Sequence, residues 1–226
     1  CMEVFGCQFV QQYGMTETTG TVTYLPPEDH DPKGNQRMRS AGLPMPGVEM
    51  AIFDAQGNRL GPNEIGEIAT RSAANMKGYW RKDEATASTI DSEGWLRTGD
   101  AGYIDEDGYI YIQDRIKDMI ITGGENVYPA EVEYAVHGHL DVAEVAVIGV
   151  PDETWGESVK AIVVLKPGAT PNAEEIIAFA RSRIAHFKAP RSVDFLATPL
   201  PRSASGKILR RELREPYWAG KDRRVN

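Results

Sequence analysis

Asp114-Arg115-Ile116-Lys117-Asp118-Met119-Ile120-Ile121-Thr122-Gly123-Gly124-Glu125-Asn126-Val127-Tyr128-Pro129 separates two stretches of different character. A charged cluster runs into a short apolar stretch and then a pair of glycines. Glycine permits positive φ and lets a backbone approach a ligand closely. The same residues also read as a salt-bridged linker followed by a plain hairpin turn, and local sequence does not choose between the two. Pro129 suits the first turn of a helix running to about Val136, with Glu131 and Glu133 near its positive end.

Upstream of the cluster the chain is rich in Gly, Pro and short alternating runs. Val48 to Phe53, Glu67 to Arg71 and Tyr109 to Gln113 read as strands. Asp105-Glu106-Asp107-Gly108 lies between Tyr103-Ile104 and Tyr109-Ile110 and reads as a hairpin turn. It is not a calcium loop, because Tyr103 and Asp114 stand at the first and last ligand positions. A short helix is expected over Asp83 to Ile90. Downstream, Glu144 to Val150, Lys160 to Lys166 and Ser192 to Ala197 read as strands. Asn172 with Glu175 forms a capping-box pattern that opens a helix to about Ile184. A last helix is expected over Gly206 to Arg214. The downstream part is thus a small α+β domain.

The chain has 226 residues, 41% hydrophobic and 26% charged, enough to bury a core without metal or disulfide staples. The net charge of −8 excludes a general nucleic-acid binder. Arg202 to Asn226 nonetheless carries eight Lys or Arg against three Asp or Glu. That basic tail reads as a local anion site or as a solvated terminal helix. The two cysteines, Cys1 and Cys7, make no disulfide framework and fit a reducing, cytoplasmic compartment. No apolar run approaches the roughly 18 residues that would cross a membrane. The chain opens in a strand-like stretch at Cys1 and reads as an internal fragment, with any native amino-terminal signal lying outside it.

Three further constellations suit chemistry on phosphates and sugars. Tyr13-Gly14-Met15-Thr16-Glu17-Thr18-Thr19-Gly20 places small hydroxylated residues beside glycines, where backbone N–H groups approach a phosphate, and Glu17 is a carboxylate able to hold Mg²⁺. Trp95-Leu96-Arg97-Thr98-Gly99-Asp100 ends in a carboxylate expected in a tight turn after a strand, suited to a ribose diol. Pro199-Leu200-Pro201-Arg202-Ser203-Ala204-Ser205-Gly206-Lys207 lacks the Gly and the Ser/Thr of a Walker loop, since Pro201 and Ile208 stand there. It still offers a Lys at a glycine turn where a helix begins. Taken singly, each also reads as an ordinary loop, turn or surface lysine.

Their order changes that. Tyr13 to Glu17, Gly66-Glu67-Ile68 with Gly78-Tyr79-Trp80, Thr98-Gly99-Asp100, Asp114 to Asp118, and Gly206-Lys207 together closely resemble the adenylate-forming superfamily of acyl-CoA synthetases, luciferase and peptide-synthetase adenylation domains. The resemblance covers almost the whole chain, and Thr122 to Glu133 is most similar to the fatty acyl and aryl CoA ligases. It implies an α/β multidomain protein. Residues 1–116 would form the β-rich, distorted-barrel end of the large AMP-binding domain, and 117–226 a small mobile α+β carboxyl-terminal domain. The implied substrates and cofactors are ATP, Mg²⁺ and coenzyme A, with a carboxylic acid, foremost a fatty acid.

By the same resemblance Tyr13 lies beside the adenine. Thr16 contacts the phosphate or acyl carboxylate, and Glu17 holds Mg²⁺. Asp100 binds the ribose, with Arg115 at the same sugar. Lys207 bonds the substrate carboxylate and α-phosphate. Lys117 is the hinge, and Gly124 lines the channel for the pantetheine arm of coenzyme A. The family's phosphate loop and most of its acyl pocket lie upstream of position 1, so these 226 residues alone are expected to be inactive.

Other readings remain at this point. An acyl-AMP ligase would pass its product to an acyl carrier protein; such enzymes often carry an insertion in the large domain, and none is visible here. An aryl-CoA ligase fits the same motifs. A peptide-synthetase domain would continue past Lys221-Asp222-Arg223-Arg224-Val225-Asn226 into a carrier domain. A non-catalytic lid or interaction module would keep the fold, but Glu17, Asp100, Arg115 and Lys207 all stand in place. The basic tail also suits peripheral contact with anionic lipid.

Overall fold

A computed structural model describes residues 2–220, and the chain divides into two units at the Ile116–Lys117 junction. The first unit starts with helix α1 (Met2–Phe5), where a strand-like stretch was expected from the apolar sequence. Strands β1 (Gln11–Met15), β2 (Gly20–Leu25) and β3 (Leu43–Pro44) form one antiparallel sheet. Strands β4 (Glu49–Phe53), β5 (Gly66–Arg71), β6 (Leu96–Ile104) and β7 (Ile110–Arg115) form a second, in sequential order. Helix α2 (Asp83–Thr89) joins β5 to β6.

The two sheets meet at one bridge, Gly42 to Ile110, and share one interior lined by Val22, Met50, Ile52, Ile68 and Ile110. Each such aliphatic side chain contributes about 1.5–3 kcal/mol when fully buried. Among the described residues β4 does not pair with β1. The strands therefore wrap a barrel-like core without closing it. Irregularities fall at Tyr13/Gly14, Glu67/Ala69 and Ala101/Gly102. Bulges re-aim side chains at strand edges, and these fall in the pairings of β1, which carries Tyr13, and of β6, which carries Asp100.

The second unit holds β8 (Ile120–Thr122), β9 (Glu125–Val127), helix α3 (Pro129–His137), β10 (Val142–Asp152), β11 (Gly156–Leu165), helix α4 (Ala173–Arg181), β12 (Ser192–Leu196) and helix α5 (Arg210–Trp218). Its five strands form one sheet, with β12 pairing parallel to β11. Val132 and Val136 of α3 and Ile176 and Ala180 of α4 pack with Val145, Val147, Ala161 and Val163 on one face. On the other, Leu213 and Tyr217 of α5 pack with Ala146, Ile148, Val150 and Ile162. Cover on both faces explains why Val145–Val150 is apolar without alternation.

Helix α4 opens as expected, with the Asn172 side chain accepting from the Glu175 N–H at 3.2 Å. It ends at Arg181, short of Ile184. The last helix differs more. Residues 202–208 form a hairpin, with Arg202 bridged to Ile208 and Gly206 at φ 82°, and helix begins only at Arg210. A left-handed glycine three residues after Ser203 closes a turn rather than starting a helix. Among the described residues no helix is long and apolar enough to cross a membrane. The expected basic tail lies partly outside the described residues, from Lys221 onward.

Candidate active site

In the first unit, β1 and β6 bring together motifs far apart in the chain. The Tyr13 hydroxyl donates to Asp100 Oδ2 at 2.7 Å across 87 residues of sequence. The other carboxylate oxygen faces Arg115 Nε at 3.8 Å, and Asp100 and Arg115 are register partners on β6 and β7. Asp100 thus sits within a strand, not in the turn after one; the bulge at Ala101/Gly102 supplies the kink that the sequence suggests as a turn. Its N–H donates to the Thr98 hydroxyl, which itself donates to the Ile68 carbonyl. Burial, and then the negative charge and hydrogen bond of Asp100, push the Tyr13 phenol well above its ordinary range. Tyr13 therefore remains a donor at any physiological pH.

A second carboxylate lies behind this one. Glu67 accepts from the Gly99 N–H at 3.1 Å and faces Arg97 at 3.9 Å. Burial raises its pKa, and Asp100 adds to the rise, while Gly99 and Arg97 oppose it.

Glu17 is carried on a 3-10 turn, Thr16–Thr18, between β1 and β2. The buried Thr18 hydroxyl ties that turn together, donating within reach of the Met15 and Gly20 carbonyls and accepting from the Met15 N–H. Gly14 makes the turn possible. A Cβ there would lie 1.9 Å from the Gly20 carbonyl oxygen. The Glu17 backbone carbonyl accepts from the Met76 N–H at 2.7 Å, and its side chain accepts from the Tyr79 hydroxyl at 2.9 Å. Burial, then the bond to Glu17, raises the Tyr79 pKa. Tyr79 was visible within Gly78-Tyr79-Trp80, but its hold on Glu17 spans 62 residues and has no local signal. Thr16 is exposed beside it.

One carboxylate with an oxygen to spare suits Mg²⁺, which takes one or two carboxylates and completes its shell with phosphate and water. No group of three His, Cys, Asp or Glu among the described residues forms a self-sufficient cation cage.

In the second unit Lys117 lies on a 3-10 turn, Ile116–Asp118, and is exposed. Gly123 and Gly124 close the β8–β9 hairpin at φ 62° and 86°. A Cβ on Gly123 would lie 2.6 Å from the Trp155 ring, whereas nothing lies within 4 Å of one on Gly124. Gly124 therefore faces open space beside a half-exposed Trp155, whose ring carries the Arg191 guanidinium at 5.0 Å. Sequence reasoning did not single out Trp155 or Arg191.

Lys207 sits near the end of the 202–208 hairpin, not at a helix start. Its backbone is fixed: its carbonyl accepts from the Ser203 N–H and its N–H donates to the Ser203 hydroxyl. Arg202 braces the hairpin, donating to the Gly206 carbonyl at 3.0 Å and to Glu144 at 2.6 Å. Among the described residues the Lys207 ammonium has no acidic or hydrogen-bonded partner, so it is available to an anion.

The family profile described as "AMP-binding enzyme" matches residues 1–80, and that described as "AMP-binding enzyme C-terminal domain" matches residues 131–207. The chain is 48% identical over 225 residues to the fatty acid–[acyl-carrier-protein] ligase ScoC of Streptomyces coeruleorubidus, covering 100% of this chain and 43% of that one. It is 46% identical over 214 residues to the long-chain-fatty-acid–CoA ligase of Bacillus subtilis, covering 94% and 37%. Among solved structures, ATP-bound MatB from Rhodopseudomonas palustris superposes with a TM-score of 0.84 at 39% identity, covering 94% of this chain and 41% of that one. The chain thus spans about two fifths of the length of the curated relatives it matches.

Proposed function

Because this chain belongs to the AMP-binding, adenylate-forming enzyme family, we propose that it is the carboxyl-terminal part of an ATP-dependent acyl-CoA synthetase acting on a fatty acid. The observation that carries the reading is Asp100, a carboxylate pinned by Tyr13 on one oxygen and faced by Arg115 on the other. A carboxylate held in this way keeps its remaining lone pairs in fixed directions for two ribose hydroxyls.

The chemistry follows from a leaving-group problem. A free carboxylate does not release oxide. When its oxygen attacks the α-phosphorus of ATP, pyrophosphate departs and an acyl-adenylate forms, whose leaving group is AMP. Two anions meet in that step. Lys207 donates its ammonium N–H groups to the carboxylate and α-phosphate oxygens, offsetting the repulsion where negative charge gathers. Thr16 donates its hydroxyl to the same oxygens. Glu17, oriented by Tyr79, is the residue that would hold Mg²⁺, which supplies neutralising charge at the phosphates. Tyr13 and Asp100, with Arg115, fix the nucleoside, so that the reacting phosphorus is presented in one orientation.

In the second step the coenzyme A thiolate attacks the adenylate carbonyl and AMP leaves. Gly124 admits the pantetheine arm, because its backbone is open where a side chain would intrude. Trp155 and Arg191 offer an aromatic face and a positive charge beside it. Lys207 and the Gly123–Gly124 hairpin serve different steps, and Lys117 is the hinge that exchanges them, a few-residue hinge of the ordinary kind.

The test uses the full-length parent enzyme. ATP–pyrophosphate exchange is measured across a panel of fatty and aryl acids, then AMP release with and without coenzyme A. Exchange with fatty acids and coenzyme A-dependent AMP release are expected. No exchange with any acid would remove the proposal.

A second reading has its own support, the 48% identity over the whole chain to an acyl-carrier-protein ligase. Exchange with fatty acids, followed by AMP release that needs a carrier protein and ignores coenzyme A, would select it.

A further inference from the structure

Arg210 is the first residue of α5 and stands three positions after Lys207. The hairpin carrying Lys207 closes just before it, where the Leu209 N–H donates to the Pro201 carbonyl at 2.8 Å. The Arg210 guanidinium then reaches in two directions. Its Nη2 lies 2.9 Å and 2.7 Å from the two Glu133 oxygens, and its Nε lies 3.2 Å from one of them. Its Nη1 lies 3.9 Å from Asp118, the residue after Lys117. The side chains of Arg210, Glu133 and Asp118 are only 22%, 17% and 15% exposed, so this is not one of the solvated pairs that contribute little.

Glu133 is itself anchored, since Oε1 accepts from the Val147 N–H of β10 at 2.8 Å. The fork on Glu133 thus fixes one side of the guanidinium against the central sheet. On the other side Nη1 faces Asp118. Arg202, which braces the opposite leg of the hairpin, is 45% exposed and bonds instead to Gly206 and Glu144.

We propose that Arg210 is a positioning residue for Lys207, linking the hairpin that carries the lysine to the Lys117–Asp118 turn. The proposal rests on the reading of Lys207 as the adenylation lysine. A turn of the backbone at Lys117 moves Asp118, and the planar guanidinium passes that movement to the base of the hairpin. Lysine would not replace it, because a single ammonium cannot serve two carboxylates in the geometry of a fork.

The test is made in the full-length parent enzyme, with the two half-reactions measured separately. ATP–pyrophosphate exchange reads adenylation, and supplied acyl-adenylate with coenzyme A reads thioester formation. Arg210→Gln, Arg210→Lys and Asp118→Asn are compared with Lys207→Ala. Arg210→Lys keeps a positive charge against Glu133 and guards against loss of the fold. Displacing a catalytic group by about 1 Å costs up to about 100-fold, so all three variants are expected to slow exchange by about 10–100-fold. Thioester formation should stay within about twofold, well inside one order of magnitude.

Equal losses in both half-reactions, with a lowered melting temperature, would make Arg210 structural and overturn the proposal. Unchanged exchange in Asp118→Asn would overturn the link to the hinge. If Lys207→Ala itself shows no selective loss of exchange, the functional reading fails first and the proposal falls with it.

Discussion

Tyr79 illustrates what a single hydroxyl does here. It donates to Glu17 at 2.9 Å from a loop 62 residues away, and a hydrogen bond to a charged group contributes about 1.5–3 kcal/mol. Tyr79→Phe in the parent enzyme should therefore slow adenylation by about tenfold, the equivalent of about 1.4 kcal/mol, and raise the Mg²⁺ concentration needed for half-maximal exchange. An unchanged Mg²⁺ dependence would detach Tyr79 from Glu17's role. Gly14 acts through space rather than charge. Its missing Cβ would fall 1.9 Å from the Gly20 carbonyl oxygen, so Gly14→Ala must open the β1–β2 bulge. Overpacking of this kind costs about 1–3 kcal/mol, measurable by denaturant titration of the first unit. Tyr13, Glu17, Asp100 and Lys207 were legible as types because their motifs occur in a fixed order. What the sequence could not display were the contacts that aim them, Tyr13 to Asp100 and Tyr79 to Glu17. The first arises from strand bulges and register and the second from a loop meeting a 3-10 turn, and neither leaves a local trace.

Strands with alternating or continuous apolar residues, and helices with a cap, were readable along the chain; the 202–208 segment was not. The sequence suggests that a helix over Gly206 to Arg214 starts within it, at a glycine turn. The left-handed Gly206 and the Ser203–Lys207 backbone bonds close it as a hairpin instead. Helical packing begins where Leu213 and Tyr217, four residues apart, reach the sheet. Helix α4 is the counter-example, because its start is written in the Asn172–Glu175 pair and the structure forms that bond. Asn172→Ala should cost about 1 kcal/mol, read as a lower midpoint for the second unit with no change in exchange activity. A loss of activity larger than the loss of stability would show that α4 does more than support the sheet.

Each unit has its own core and a tyrosine–carboxylate pair outside the candidate site, and these report on the two units separately. In the first, the buried Tyr109 hydroxyl donates to Asp29 at 2.6 Å. The bond to Asp29, with burial, raises the Tyr109 pKa to about 12, and the same bond holds Asp29 below its ordinary 3.8. In the second, Tyr217 donates to Asp194. Burial and then that bond raise Tyr217 to about 12. Burial pushes Asp194 up, but Lys160 and Tyr217 outweigh it and hold it low. A tyrosine whose pKa is raised by folding contributes stability that is complete below its ordinary 10.0 and is lost as pH climbs toward about 12. The depressed carboxylates act in the opposite sense, contributing above 3.8 and losing that contribution as pH falls through their lowered values. Calorimetry at neutral pH should show two transitions. Tyr109→Phe should lower only the first unit's, and Tyr217→Phe only the second's, by about 4–8 °C for each kcal/mol lost. Both differences from the parent should shrink between pH 10 and 12, as the parent tyrosines ionise. Distant, unshared sites give additive effects, so the double variant should lower both transitions by the single-variant amounts. A single transition that moves equally for either substitution would mean that the two cores unfold together. A hinge at Lys117 would then join parts with no separate stability, and the exchange of Lys207 for the Gly123–Gly124 hairpin would need another account.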